Sequence, residues 1–225
     1  MTLLARTSIA VAAALVSGLA SAATIGGLVN TGSGLGAGSA DGHYSFAAIA
    51  GDSTGLSGHG YVTNGNDAPF PNWIANSATS SWLVPTATQS DVFDTGSTAG
   101  VFKWTLTFDL TGFNASTASF TGRWSADNNG TVLLNGNVIS TMGAEKGYLD
   151  WTTFAASSGF VAGVNTLEFI VNNTATAGYN FTGLRTEFLS SNVTALTSAV
   201  PEPETYALML AGLGALGFIA RRRRR

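Results

Sequence analysis

The sequence predicts an all-β protein, an antiparallel β-sandwich or jelly roll, with an N-terminal signal helix and a C-terminal apolar helix outside the domain. Three observations carry that expectation. Segments of strict two-residue alternation recur through the second half of the chain, turn chemistry of the Asn-Gly and Gly-x-Asn kind separates them, and no amphipathic helical pattern interrupts them. Short antiparallel strands at this spacing are the pattern of sandwiches and jelly rolls.

The first twenty-two residues lie outside that domain. Arg6 supplies a positive charge, Thr7 to Val16 an apolar stretch, and Ala20-Ser21-Ala22 a small-residue site, so a secretory signal peptide is expected with cleavage after Ala22. Residues 23–199 form one domain by length, with 23–60 rich in loops, and residues 200–225 form a separate tail.

Setting both ends aside changes the charge. The full chain has a formal net charge of −3, but Arg6 and Arg221 to Arg225 are outside the domain. Lys103, Arg123, Lys146 and Arg185 remain against eleven acids, a net of −7 for the domain. No basic stripe is left to displace counterions from phosphates, which excludes nucleic acid as a partner class. The chain has no cysteine, so disulfides, thiolate catalysis and thiolate metal sites are excluded too.

From Ala23 onward, Gly, Ser and Ala dominate. Ile25 to Val29 and Tyr44 to Ile49 are short strand candidates, and Thr31 to Gly42 reads as a flexible loop. Gly51-Asp52-Ser53-Thr54-Gly55 fits a nucleophile elbow by spelling alone. Leu56-Ser57-Gly58-His59-Gly60 follows it and cannot form the required helix, so the stretch reads as a surface turn. Tyr61 to Thr88 concentrates Tyr61, Phe70, Trp73 and Trp82 among turn residues. Flat, rigid indoles at Trp73, Trp82 and Trp151 suit stacking on sugar rings, and the same rings suit sealing a sandwich core. Two or more tryptophans exposed on one loop surface would favour sugar binding; burial would argue against it.

The alternating segments come next. Phe102, Trp104, Leu106, Phe108 and Leu110 alternate with Lys103, Thr105, Thr107 and Asp109, one face buried and one wet. Ala118, Phe120 and Trp124 mark a second strand, Asp127 to Gly130 a hairpin turn, and Thr131 to Leu134 the next strand. Asn135-Gly136 turns the chain into Asn137 to Ser140. Trp151 to Phe154, Thr166 to Asn172 and Gly183 to Leu189 complete the set, the last with Arg185 and Glu187 on its wet side.

Two of these pieces resemble galactose-binding-like jelly rolls. Trp124 to Gly136 is similar to their aspartate-turn, strand, Asn-Gly signature, and Gly163-Val164-Asn165-Thr166-Leu167 to their Gly-x-Asn-x-Leu strand entry. The resemblance implies architecture more than activity, since that fold serves sugar-binding modules, ancillary glycosidase domains and others. A glycosidase would need two facing carboxylates. Asp91 and Asp94 lie in a polar loop, and Asp109, Glu168 and Glu187 are expected on wet faces, so no catalytic pair is expected. Asp127 and Asn128 offer hard oxygen ligands that suit calcium, although turn chemistry explains them without a metal. His43 and His59 lack a third ligand. No other cofactor is expected.

The tail reads VPEPETYALMLAGLGALGFIARRRRR. Pro201 and Pro203 should hold their segment extended. The uncharged run 206–220, through Tyr206, Leu210, Leu213, Leu216 and Ile219, makes a helix of about 22 Å at roughly 1.5 Å per residue. Against a hydrocarbon core of about 30 Å it is a marginal transmembrane helix, extended by snorkelling from Arg221 to Arg225, which stay cytoplasmic. Val200-Pro201-Glu202-Pro203, the apolar run and the terminal arginines together resemble the PEP-CTERM sorting signal of Gram-negative bacteria. The resemblance implies transient residence in the inner membrane, processing by a membrane-embedded exosortase, and a final place at the cell surface or in the extracellular matrix. A permanent single-span anchor is the competing reading. The expected role is non-enzymatic, associated with exopolysaccharide and biofilm. The alternatives are a carbohydrate-binding module using loop aromatics and, third, a secreted glycan hydrolase.

Overall fold

The computed structural model describes residues 22–143, 145–196 and 203–223. The expected signal helix with Ala20, and the motif residues Val200, Pro201 and Glu202, lie outside them. The chain divides into two units, Ser21–Leu196 and a terminal one holding Thr197–Arg225.

Eleven strands build the first unit: β1 (Ala22–Ala23), β2 (Ala40–Ala50), β3 (Ser57–Val62), β4 (Leu83–Val84), β5 (Gly100–Asp109), β6 (Phe113–Asp127), β7 (Asn129–Leu134), β8 (Asn137–Met142), β9 (Thr152–Ala156), β10 (Val164–Asn173) and β11 (Gly183–Ala195). A single turn of 3-10 helix spans Gly147–Leu149. The strands pair in the order β8-β7-β10-β5-β2-β3-β4-β11-β6-β9, with β1 added to β11. Every pairing is antiparallel. This unit is an all-β sandwich with barrel-like closure. Its two terminal strands meet at Ser140, whose hydroxyl donates to the Thr153 carbonyl at 2.8 Å and accepts from Trp124 Nε1 at 3.2 Å.

The alternation expected of the sequence is what fills the core. Phe102, Trp104, Leu106 and Phe108 on β5 are buried, as are Phe120 and Trp124 on β6, Val132 and Leu134 on β7, and Leu167, Phe169 and Val171 on β10. Phe120 sits at the centre of an edge-to-face set, perpendicular to Phe160 and Phe188 at centroid distances of 5.5 and 5.8 Å. Such pairs add about 0.5–1.5 kcal/mol beyond the area they bury. Asn135 and Gly136 take positive φ (49° and 82°) and close the β7–β8 hairpin.

Several expectations need correcting. Asp127 to Gly130 is not a hairpin: β6 pairs with β11 and β9, β7 pairs with β10 and β8, and the turn carries the chain between them. Gly130 is required there because a Cβ would collide with the carbonyl of Ile170, so its glycine serves close strand approach. Residues 23–60 hold more strand than their composition suggested, since Tyr44, Phe46 and Ala48 alternate inward along β2. Ile25 to Val29 instead forms a turn, with Ile25 buried and its N–H donating to Ser191 Oγ. Asp94 is buried rather than solvated, accepting from Ser53 N and Asn173 Nδ2. Arg185 and Glu187 are buried too, because the residues Ala75 to Ser80 cover that face of β11.

Among the described residues the terminal unit holds a helix, α1 (Pro203–Arg222), longer than the expected 206–220. Pro203 opens it, which suits proline because the first helical N–H has no partner in any case; the expected extended segment before it lies outside the described residues. Among the described residues no helix is long and apolar enough to cross a membrane. Tyr206, Leu210, Leu213, Leu216, Ile219 and Arg221 are all exposed on α1.

Candidate functional site

A cleft of about 400 Å³ opens where β6 hands over to β7. Its walls come from three segments: Pro69 to Trp73, Lys146 to Leu149, and Thr176 to Phe181, with Asp127 and Asn128 at the crossing.

Asp127 is the last residue of β6 and is only 7% exposed. Its Oδ2 accepts the indole N–H of Trp73 at 2.9 Å, and its carbonyl accepts from Thr182 Oγ1 at 3.0 Å. Among the described residues, Oδ1 has no hydrogen-bond donor. Burial pushes the carboxyl up to about 7, partly opposed by the Trp73 hydrogen bond. Tyr148 is raised as well, first by burial and then by the charge of Asp127. Asn128 ties the crossing to its neighbours: its N–H donates to Asn172 O, its Oδ1 accepts from Thr174 N at 2.7 Å, and its carbonyl accepts from Gly147 N.

The outer wall is aromatic. Tyr179, 85% exposed, stacks on Phe181 with centroids 6.3 Å apart and planes 26° from parallel. Asn180 between them anchors the loop, donating from Nδ2 to the carbonyls of Phe93 and Asp94 at 2.6 and 3.1 Å. The exposed stack is thus carried on a pinned backbone.

The three tryptophans do not form one platform. Trp73 is 3% exposed and Trp82 fully buried, packed on each other at 4.2 Å in a small core with Phe70 and Val84. Trp73 reaches the cleft, but as its floor. This corrects the reading of Trp73 and Trp82 as exposed stacking rings: the apolar indoles seal the sandwich, each with its N–H satisfied, Trp82 by the Ile74 carbonyl. Trp151 lies elsewhere, half-buried, with Arg123 and Arg185 guanidinium groups 4.4 and 4.8 Å from its ring.

Beside Trp151 lies the most strongly held carboxylate. Glu187 Oε2 accepts from Arg123 Nε and Nη2 at 2.8 and 2.6 Å, and Oε1 accepts from Ser80, Thr79 and Arg185 at 2.7, 3.0 and 3.4 Å. Burial pushes its carboxyl up, but the Ser80, Arg123 and Thr79 hydrogen bonds outweigh it and hold it at about 2.

For calcium, Asp127 and Asn128 are together in the cleft, but the Asn128 oxygen is already engaged by Thr174 N. Among the described residues no group of three histidine or acidic side chains could hold a metal ion. His43 is paired with Asp41 at 3.0 Å, and His59 Nδ1 lies 3.3 Å from the Tyr44 carbonyl. Tyr148, Tyr179 and Phe181 were missed by the sequence reading. The signal available was Tyr179-Asn180-Phe181, two aromatics in a polar loop between strong strands.

Residues 199–225 match the PEP-CTERM protein-sorting motif, so the chain carries that signal. The motif marks an exported protein, held at the membrane by its C-terminal region before exosortase cleavage and surface-exposed afterwards. No curated protein matches the sequence. Among solved structures, the chain is similar to a β-glucosidase from Kluyveromyces marxianus in complex with glucose at 12% identity and TM-score 0.32, over 44% of this chain and 12% of that one. It is similar to a GH31 α-xylosidase from Xanthomonas citri at 8% identity and TM-score 0.34, over 69% and 16% of the two chains. A family 35 carbohydrate-binding module from an environmental isolate aligns at 19% identity and TM-score 0.21, over 48% and 77%. The chain thus spans less than a fifth of either enzyme, and each likeness is weak.

Proposed function

We propose that the exported β-sandwich works by binding and not by catalysis, as a surface or matrix domain that holds extracellular polysaccharide within a biofilm. The observation that carries this reading is the exposed Tyr179–Phe181 stack beside the polar groups of Asp127, Asn180 and Thr176 in one cleft. Flat aromatic faces offer the apolar side of a sugar a surface that costs little conformational entropy, and neighbouring oxygens and amides take its hydroxyls. Asp127 is the one carboxylate among the residues that line the cleft, whereas glycoside hydrolysis uses a pair. The delivery signal and the acidic, sparsely charged body suit the same setting.

A glycan array probed with the exported protein tests this. Binding to polysaccharide that is lost on Tyr179→Ala, with folding intact, is the expected result. Uniform absence of binding, or release of reducing sugar from a bound glycan, would overturn it.

A further inference from the structure

The buried carboxylates of the domain differ in how they are compensated. Glu187 has two arginines and three hydroxyls, those of Ser77, Thr79 and Ser80. Asp94 has Ser53 N and Asn173 Nδ2, and Asp41 has Gly32 N, His43 N and the His43 ring. Asp127 has a single neutral donor, Trp73, on one oxygen, and among the described residues no cation pairs with it. Asp127 lines a cleft together with the aromatic residues Trp73, Tyr148, Tyr179 and Phe181. A carboxylate set among ring faces is the chemistry that attracts an ammonium group, because the ring quadrupole and the anion act in the same direction.

We infer that the cleft selects a polysaccharide bearing free amino groups, the ammonium of one amino sugar seated at Asp127 among these rings and the sugar's apolar face laid on Tyr179. The inference rests on the carbohydrate-binding reading above and narrows its ligand. A neutral sugar leaves the Asp127 charge uncompensated, and an N-acetylated one brings bulk without charge. The net charge of −7 on the domain adds a long-range attraction for such a polymer. The titratable groups that share the cleft with Asp127 are Lys146 and Tyr148 on one wall and Tyr179 on another. Lys146 makes no ion pair with Asp127 and repels the incoming cation. The raised Asp127 carboxyl fits this arrangement, since a bound cation favours the ionised form and drives a proton off near neutral pH.

The test is calorimetry on the mature exported protein at about pH 7, near which burial places the Asp127 carboxyl. The probes are a glucosamine tetramer, its N-acetylated twin and a glucose tetramer, each in two buffers of different ionisation enthalpy. The amine tetramer is expected to bind about tenfold or more tightly than either neutral probe, the proton lost by Asp127 being offset by any proton the amine takes up on binding as ammonium. Asp127→Asn should reduce it to the level of the acetylated twin. Lys146→Ala, at an exposed position, should tighten it, so the inference stays testable if the Asp127 variant misfolds. Equal binding of all three tetramers, or binding unchanged in both variants, overturns the amino-sugar inference while leaving carbohydrate binding in place. Failure of every tetramer together with a blank glycan array overturns both.

Discussion

Trp73 Nε1 donates to Asp127 Oδ2 at 2.9 Å, and this bond joins the small aromatic core of Trp73 and Trp82 to the end of β6. A buried carboxyl at about 7 has a folded pKa above its unfolded value of 3.8. The protonated form is therefore the one the fold prefers. Its stabilisation is fully present below about pH 4 and is lost as pH rises through 7, at about 1.4 kcal/mol per pH unit at most. Thermal unfolding across pH 4 to 8 should show this decline, and Asp127→Asn should remove it. Trp73→Phe keeps most of the packing but takes away the donor, and should lower stability by about 1–3 kcal/mol.

Glu187 supplies the opposite limb. Its carboxyl is held at about 2, below its ordinary 4.5, so its contribution is present above pH 4.5 and is lost as pH falls toward 2. Glu187→Ala strips the counter-charge from buried Arg185 and should cost about 3–5 kcal/mol in denaturant unfolding near neutral pH. Arg123 is partly exposed, so Arg123→Ala should cost less.

Trp82 and Tyr179 separate core from surface. Trp82→Ala opens a void in a fully buried position and should destabilise by about 3–5 kcal/mol. Tyr179→Ala, at 85% exposure, should leave the melting temperature nearly unchanged while abolishing glycan binding. Equal loss of stability in both would remove the loop stack from the candidate site.

The sorting motif makes a mass prediction. Intact-mass analysis of the surface or secreted fraction should show a C-terminus upstream of Arg225, with α1 gone, and Pro201→Ala with Glu202→Ala should retain the full tail in the membrane fraction. An exported form still ending in Arg225 would establish a permanent anchor.

Strand alternation was legible because each inward residue of β5 is large and apolar and each outward one polar. β2 was not fully legible, because it buries small Ala48 and sits in a stretch whose Gly, Ser and Ala content imitates a loop. The β11 face failed for a different reason. Arg185 and Glu187 look solvated by type, and only a covering segment a hundred residues away makes them buried. The cleft failed for the same reason: Trp73, Asp127, Tyr148 and Tyr179 come from four distant stretches, so no local spacing announces them. Asp127 to Gly130 has hairpin chemistry by residue type, yet it joins strands that never pair, a fact only the long-range pairings reveal.

The Ser140 bridge between β8 and β9 bears on self-association. An unpaired strand margin presents open amides and carbonyls that recruit neighbouring chains into fibres. Here the two terminal margins of the strand path face each other, joined through the Ser140 hydroxyl and the Thr153 carbonyl. A protein exported and exposed at the cell surface is thereby given fewer places to polymerise through its backbone.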